Sequence, residues 1–130
     1  MPDTKTAQIS LSDRGLVLVR IHWGARQSMT DAGENLATAV AETAGWRRPL
    51  LVDIRVAKPL AADVRRMYSG PTVVNAFSAL ALLIEAGGLG RTMGNVYLSV
   101  ARLDIPTRLF TEEAQALEWL NGFVSPFDAR

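Results

Sequence analysis

The side chains able to do chemistry are few. The chain has a single histidine, His22, and no cysteine. A general base ordinarily needs an orienting partner, and no charge relay can be read around His22. With Arg20 two positions away, a solvated or structural role on a strand face is the expectation. Nothing near it has ligand spacing, so no metal site is expected. The lack of cysteine excludes disulfides, thiolate catalysis and Cys-ligated zinc.

Two other constellations stand out. Asp53, Lys58 and Asp63 surround the end of an apolar run, where open α/β sheets tend to bind ligands. Paired carboxylates there can do acid–base work only when close in space. For Asp53, capping the turn that follows is the simpler role. Arg65 and Arg66 are expected to form a solvated helix face. The second constellation is Gly87-Gly88-Leu89-Gly90-Arg91-Thr92-Met93-Gly94. Exposed amides and Arg91 could hold an anion such as phosphate or carboxylate. Its glycine spacing matches neither a Walker loop nor a dinucleotide fingerprint, and close packing through Gly90 and Gly94 is the favoured reading. Gly88, Gly90 and Arg91, with Asp53 and Lys58, are therefore the candidate ligand- or anion-binding residues. No catalytic residue and no cofactor are assigned.

Composition narrows the classes further. The 130 residues are 48% hydrophobic and 21% charged, the balance of one ordinary globular domain. Such a chain buries roughly two-thirds of its unfolded surface and can build a core without metals. Fourteen basic against thirteen acidic residues leave a net charge of +1, too small for an electrostatic grip on nucleic acid. Trp23, Trp46, Tyr68, Tyr97 and Trp119 are scattered rather than interleaved with a basic stripe, so they form no stacking platform and are expected in core or interface. Met1 to Thr6 lacks the apolar segment of a signal peptide. The longest apolar stretch, Phe77 to Ala86, is about half of what a membrane-spanning helix needs. A cytoplasmic protein without membrane insertion is expected.

The elements that must position these residues follow from periodicity. Ala7, Ile9 and Leu11 alternate with polar residues, as in a half-buried strand. Asp13-Arg14-Gly15 supplies a turn, and Leu16 to Trp23 makes the second strand of a hairpin. Its alternation places Val17, Val19, Ile21 and Trp23 on one face. Ser28 and Thr30, with Asp31 and Glu34, offer two overlapping capping arrangements for a helix with Ala32, Leu36, Ala39, Val40 and Thr43 on one side. Gly45 is its expected stop. Pro49 to Ile54 reads as a strand covered on both faces, Leu60 to Tyr68 as a helix, and Thr72 to Phe77 as a short one. Ala79 to Ile84 is a further buried strand. A helix is expected over Leu89 to Val100, then a strand at Thr107 to Phe110. Thr111 is the expected N-cap of a last helix that ends at Gly122. The order predicts an α/β domain over residues 7–122: an N-terminal β-hairpin, then alternating helices and strands, giving a mixed sheet covered by helices. Residues 1–6 and 123–130 are read as terminal extensions.

Three segments carry a resemblance: Leu51-Val52-Asp53-Ile54-Arg55, then Met93 to Leu98, and above all Pro106 to Thr111 with Ala116-Leu117-Glu118-Trp119-Leu120. With the element order, they resemble the STAS/SpoIIAA-like fold of anti-sigma-factor antagonists, and more closely a group of small bacterial proteins of that fold without a settled function. The resemblance runs from about Leu50 to Gly122. In true antagonists a phosphorylatable serine sits where the buried third strand meets its following helix. Here that stretch, Val56 to Asp63, holds no serine or threonine, so the switch residue is not carried over.

The resemblance implies a non-enzymatic protein-interaction module without a phosphoserine switch, contacting another bacterial protein near that loop. Two rival classes are a domain binding a small ligand (an anion, or by analogy with related folds a lipid) and an enzyme using Asp53, Asp63 or His22. Self-association is also expected. The first strand lacks a lysine or proline guard, and the apolar segment Phe123 to Phe127 needs a cover. Phe123 and Phe127 are the candidate homodimer surface.

Overall fold

One hairpin turn and one helix cap set the frame. At the hairpin tip, the Ser12 hydroxyl accepts from the backbone N–H of Arg14 and Leu16, and Gly15 takes φ +83°. That turn joins β1 (Ala7–Leu11) to β2 (Val17–Ile21), which pair antiparallel. α1 (Met29–Glu42) starts at Ser28 in a complete capping box: the Ser28 hydroxyl accepts from Asp31 N–H, and the Asp31 carboxylate accepts from Ser28 N–H. The computed structural model describes residues 3–56, 58, 60–85 and 103–124.

β3 (Arg48–Asp53), β4 (Phe77–Leu83) and β5 (Thr107–Phe110) complete a five-stranded sheet in the order β1-β2-β3-β4-β5. From β2 onward all neighbours are parallel. Between β3 and β4 lie α2 (Ala62–Tyr68) and α3 (Pro71–Ala76), and α4 (Glu113–Asn121) follows β5. The mixed sheet, its hairpin start and its helical cover are those expected from the periodicity.

Each face of the sheet has its own core. Val17, Val19, Ile21, Leu50, Leu80 and Leu82 pack with Leu36 and Ala39 of α1 and Val73 of α3. On the opposite face Leu16, Leu51, Ala79, Ala81 and Leu83 meet Phe110, Ala116 and Leu120. The alanines of β4 leave room for α4 to lie close. Alternation puts Leu50 on one face and Leu51 on the other, which is why β3 reads as a continuous apolar run.

Several boundaries differ from expectation. α1 is capped at Thr43, with Ala44 at φ +53° and Gly45 at φ +86°, so the chain turns left-handed one residue before the glycine. The helix expected from Leu60 begins at Ala62. Phe77 belongs to β4 rather than to the preceding helix, and is fully buried. α4 is capped at Glu112, not Thr111, and without a side-chain cap bond. The helix expected at Leu89 to Val100 lies outside the described residues.

Candidate functional site

β2, β3 and β4 run parallel, so their C-terminal ends lie on one edge of the sheet, and the segments leaving them come together there. After Ile21 the backbone turns at once: Ala25 N–H donates to His22 C=O (3.1 Å) and Gly24 adopts φ +67°. The segment leaving β3 is tied to this turn twice. Gly24 N–H donates to Val56 C=O at 2.7 Å, and Lys58 N–H to Ala25 C=O at 3.1 Å. The result is a ledge whose two halves are held by main-chain bonds. Trp23, Gly24, Arg55, Val56, Lys58 and Glu85 line a shallow, open depression on it.

Trp23 does not continue the buried face of β2, because the strand stops two residues earlier. Its side chain is 83% exposed, and Val56 beside it is 47% exposed. His22 is exposed as well, and its backbone N–H donates to Thr6 C=O. Among the described residues no group of three His, Cys, Asp or Glu side chains is placed to hold a metal ion.

Behind the ledge sits an ion cluster. Arg20 and Asp53 are direct partners in the β2–β3 register, with Arg20 Nη1 3.2 Å from Asp53 Oδ2. Arg55 grips the same carboxylate with Nε to Oδ1 at 3.0 Å and Nη2 to Oδ2 at 2.8 Å, and its backbone N–H also donates to Oδ1. Glu113, in the first turn of α4, accepts from Arg20 and lies 3.6 Å from Arg55 Nη2. Burial pushes the Asp53 carboxyl up, but the hydrogen bonds and charges of Arg55 and Arg20 outweigh it and hold the group below the usual value. The Glu113 hydrogen bond foremost, opposed by burial, raises Arg20, and the Asp53 hydrogen bond foremost raises Arg55.

Two guanidiniums and two carboxylates balance in charge, so the cluster offers no surplus cation to an anion. Asp53 is ionised at neutral pH and engaged by both arginines, a poor state for proton transfer. Its geometry makes it a clamp joining β2, β3 and α4, and it also takes the turn-capping bond expected of it.

The other expected residues are more dispersed. Lys58 is exposed and reaches the ledge through its backbone. Asp63 is exposed at the start of α2 and accepts from Val64 N–H. The carboxylate that joins Asp53 is Glu113, a partner the sequence reading did not name. Gly88, Gly90 and Arg91 lie outside the described residues, as does Phe127. Phe123 is half-buried against its own domain: its ring meets Trp119 edge-on at 4.9 Å, and Ser78 Oγ donates to its carbonyl.

A second polar group lies on the other side of the sheet. Asn35 of α1 is 1% exposed. Its Nδ2 donates to Thr6 Oγ1 (2.8 Å) and Gln27 Oε1 (3.1 Å), with Tyr68 Oη also within reach at 3.3 Å, and its Oδ1 accepts from the Thr4 hydroxyl. The Tyr68 hydroxyl donates to Gln27 Oε1. Burial pushes Tyr68 up to about 12. This network was missed, although Asn35 occupies the apolar stripe between Ala32 and Ala39, where a polar residue signals a buried partner.

Residues 9–124 match the family described as domain of unknown function DUF7793. The chain belongs to that family. Comparison with curated protein sequences finds no match. Among solved structures, this domain is similar to an uncharacterised DUF3478-family protein with a SpoIIAA-like fold from Shewanella loihica PV-4. That pair has 17% identity and a TM-score of 0.64, over 92% of this chain and 98% of the other. It is also similar to an anti-sigma factor antagonist from Mycobacterium paratuberculosis, at 15% identity and TM-score 0.60, over 92% and 97% of the two chains. The DUF7793 domain thus has a SpoIIAA-like fold. Among its described residues no helix is long and apolar enough to cross a membrane.

Proposed function

We propose that this DUF7793 chain is a non-catalytic protein-interaction module of the cytoplasm that presents the Trp23 ledge to another protein. The observation that carries the reading is the 83% exposure of Trp23 on a segment fixed by main-chain bonds to its neighbour. A tryptophan held in water at a set position has much apolar area to bury and little conformational entropy to lose, the profile of an interface anchor. Val56 extends the apolar patch, and Lys58 and Glu85 border it with one charge of each sign, which suits a partner segment that is apolar at its centre and polar at its rim. The fold shared with an anti-sigma factor antagonist supports the same class of activity. Residues 54–63 contain no serine or threonine, so binding at this loop is not switched by hydroxyl phosphorylation. The balanced charge of the Arg20–Asp53–Arg55–Glu113 cluster argues against both catalysis and anion capture there.

Affinity capture from extracts of the source cells, with quantitative mass spectrometry, tests this. Proteins held by the native chain should fall at least tenfold with Trp23→Ala and with Lys58→Glu, while each variant keeps the native melting temperature. Equal retention by all three chains, or no specific retention by the native one, would overturn the reading.

We also propose self-association along β1. This is an edge strand, and the described chain covers its outer side only where Asp3 bridges Gln8. Leu11, at its far end, is 38% exposed. An uncovered edge pairs readily with a second copy. Sedimentation at micromolar concentration should give a dimer that Leu11→Lys weakens, and a pure monomer of 14.1 kDa would rule the pairing out.

A further inference from the structure

The outer side of β1 is closed at one end and open at the other. In an antiparallel pair, alternate residues turn their N–H and C=O groups toward the partner and away from it. Thr6 C=O accepts from His22 N–H, and Ser12 N–H donates to Leu16 C=O, so the even-numbered residues face β2. Ala7, Ile9 and Leu11 direct theirs outward, where an added strand would bond. Both outward groups of Ala7 are already taken by Thr4. The Thr4 hydroxyl accepts from Ala7 N–H at 3.1 Å, and Thr4 N–H donates to Ala7 C=O at 2.9 Å. This turn brings Asp3 alongside Gln8 as an antiparallel bridge.

Asn35 of α1 anchors this turn. The Thr4 hydroxyl donates to Asn35 Oδ1, and Asn35 Nδ2 donates to Thr6 Oγ1 at 2.8 Å. One half-buried hydroxyl, that of Thr4, thus occupies Ala7 and ties its segment to a residue that is only 1% exposed. Sheet proteins blunt an open edge with lysine, proline or a covering segment. β1 has neither residue, and the segment before it supplies the cover. At the far end of the strand Leu11 is 38% exposed, and among the described residues nothing pairs with its outer side. β1 carries no charged side chain, so a second copy laid antiparallel along it meets no like charge directly opposite.

We infer that the Asp3–Thr6 segment is an edge guard: latched to Asn35, it confines strand pairing on β1 to the Leu11 end, and its release opens the strand at Ala7 as well to a second copy of this chain. The inference rests on the self-association reading for the identity of the partner and adds what regulates it. Because the Thr4 hydroxyl serves both the latch and the cover, loss of that one group loosens both. The guard lies on the outer side of β1, away from the Trp23 ledge.

Hydrogen exchange at the Ala7 amide and sedimentation of the full chain test the guard with Thr4→Ala. At concentrations where both chains are monomeric, Ala7 should exchange at least tenfold faster in Thr4→Ala than in the native chain. Thr4→Ala should also dimerise at least fivefold more tightly. The chain has no cysteine of its own, and directly opposed bridge residues are close enough for a disulfide. Asp3→Cys with Gln8→Cys, added to Thr4→Ala and oxidised, should therefore tie the guard shut and return dimerisation to within twofold of native, while the same variant reduced keeps the gain. A native dimer that Thr4→Ala leaves unchanged overturns the guard and spares self-association. A dimer of Thr4→Ala beside a monomeric native chain supports the guard and overturns self-association of the native chain. The guard is also overturned by no dimer of either chain, by equal exchange at Ala7, or by a gain that survives oxidation.

Discussion

Arg20 and Asp53 face each other across the parallel β2–β3 pair, Nη1 to Oδ2 3.2 Å apart, as direct register partners. Asp53 is 8% exposed and also holds Arg55, while Arg20 reaches on to Glu113. One carboxylate at the end of β3 thus helps to fix the hairpin, the central strand and the last helix relative to one another. The same carboxylate sets the first turn of the Arg55–Lys58 segment, so the clamp supports the ledge on which Trp23 stands.

Removing the two acids of this clamp should have unequal effects. Asp53→Ala leaves both guanidiniums to Glu113 alone and loses a backbone cap, and should cost about 2 kcal/mol, because several charge-assisted hydrogen bonds to one largely buried carboxylate go at once. The Glu113 side chain is about one-third exposed, and Glu113→Gln keeps one hydrogen bond, so its cost should be about 0.5 kcal/mol. Urea denaturation with an unchanged m-value measures both. Equal costs would mean that the arginines are not organised around Asp53.

The clamp also sets a pH dependence. Asp53 in the folded chain lies below its ordinary value of 3.8. A carboxyl depressed by folding adds stability that is present above the unfolded value and lost as pH falls through the folded one. The stability gap between the native chain and Asp53→Asn should therefore be constant from pH 7 to about pH 5 and shrink below about pH 4. Chemical denaturation at pH 7, 5 and 3 measures it, and a gap unchanged at pH 3 would contradict the assigned role.

Ser28 should behave as an N-cap in full. Ser28→Ala removes one half of the capping box and should cost about 1 kcal/mol, while Ser28→Asp should lose less than half of that. Far-ultraviolet circular dichroism during thermal melting compares the two.

The architecture was legible in the sequence because each element carries its own period. The alternation at Ala7, Ile9 and Leu11, the capping signal at Ser28 and the continuous run Pro49 to Ile54 each determine local structure without help from distant residues. The clamp was half legible. Asp53 at a strand end is visible, but its partners meet only through register and helix placement: Arg20 is 33 residues from Asp53 and 93 from Glu113. Trp23 misled for a related reason: the alternating pattern runs through it, whereas the turn at Gly24 and its bond to Val56 end the strand early. The Asn35 network needed the N-terminal segment, the Gln27 loop and α2 to converge on one side chain, and no local pattern reports that.

Tyr68 gives the last prediction, and it follows from burial rather than from charge pairing. Its hydroxyl is held by Gln27 and Asn35 in a largely apolar setting that pushes it up to about 12. A tyrosine whose folded value is raised loses nothing at neutral pH, where both states are protonated. Above pH 10 the unfolded chain ionises first, so its share of stability falls between pH 10 and about 12. That loss should be on the order of 2 kcal/mol. Tyr68→Phe sacrifices the hydroxyl bonds and should be less stable than the native chain by about 1 kcal/mol at pH 7. Its deficit should shrink and then reverse as the pH passes 11, since phenylalanine has nothing to ionise. Absorbance at 295 nm gives an independent reading. The chain has two tyrosines, and the step that disappears in Tyr68→Phe should be the one that completes only near pH 12 or on unfolding. A native chain whose two tyrosines both ionise near pH 10 while still folded would show that the Tyr68 hydroxyl is open to water.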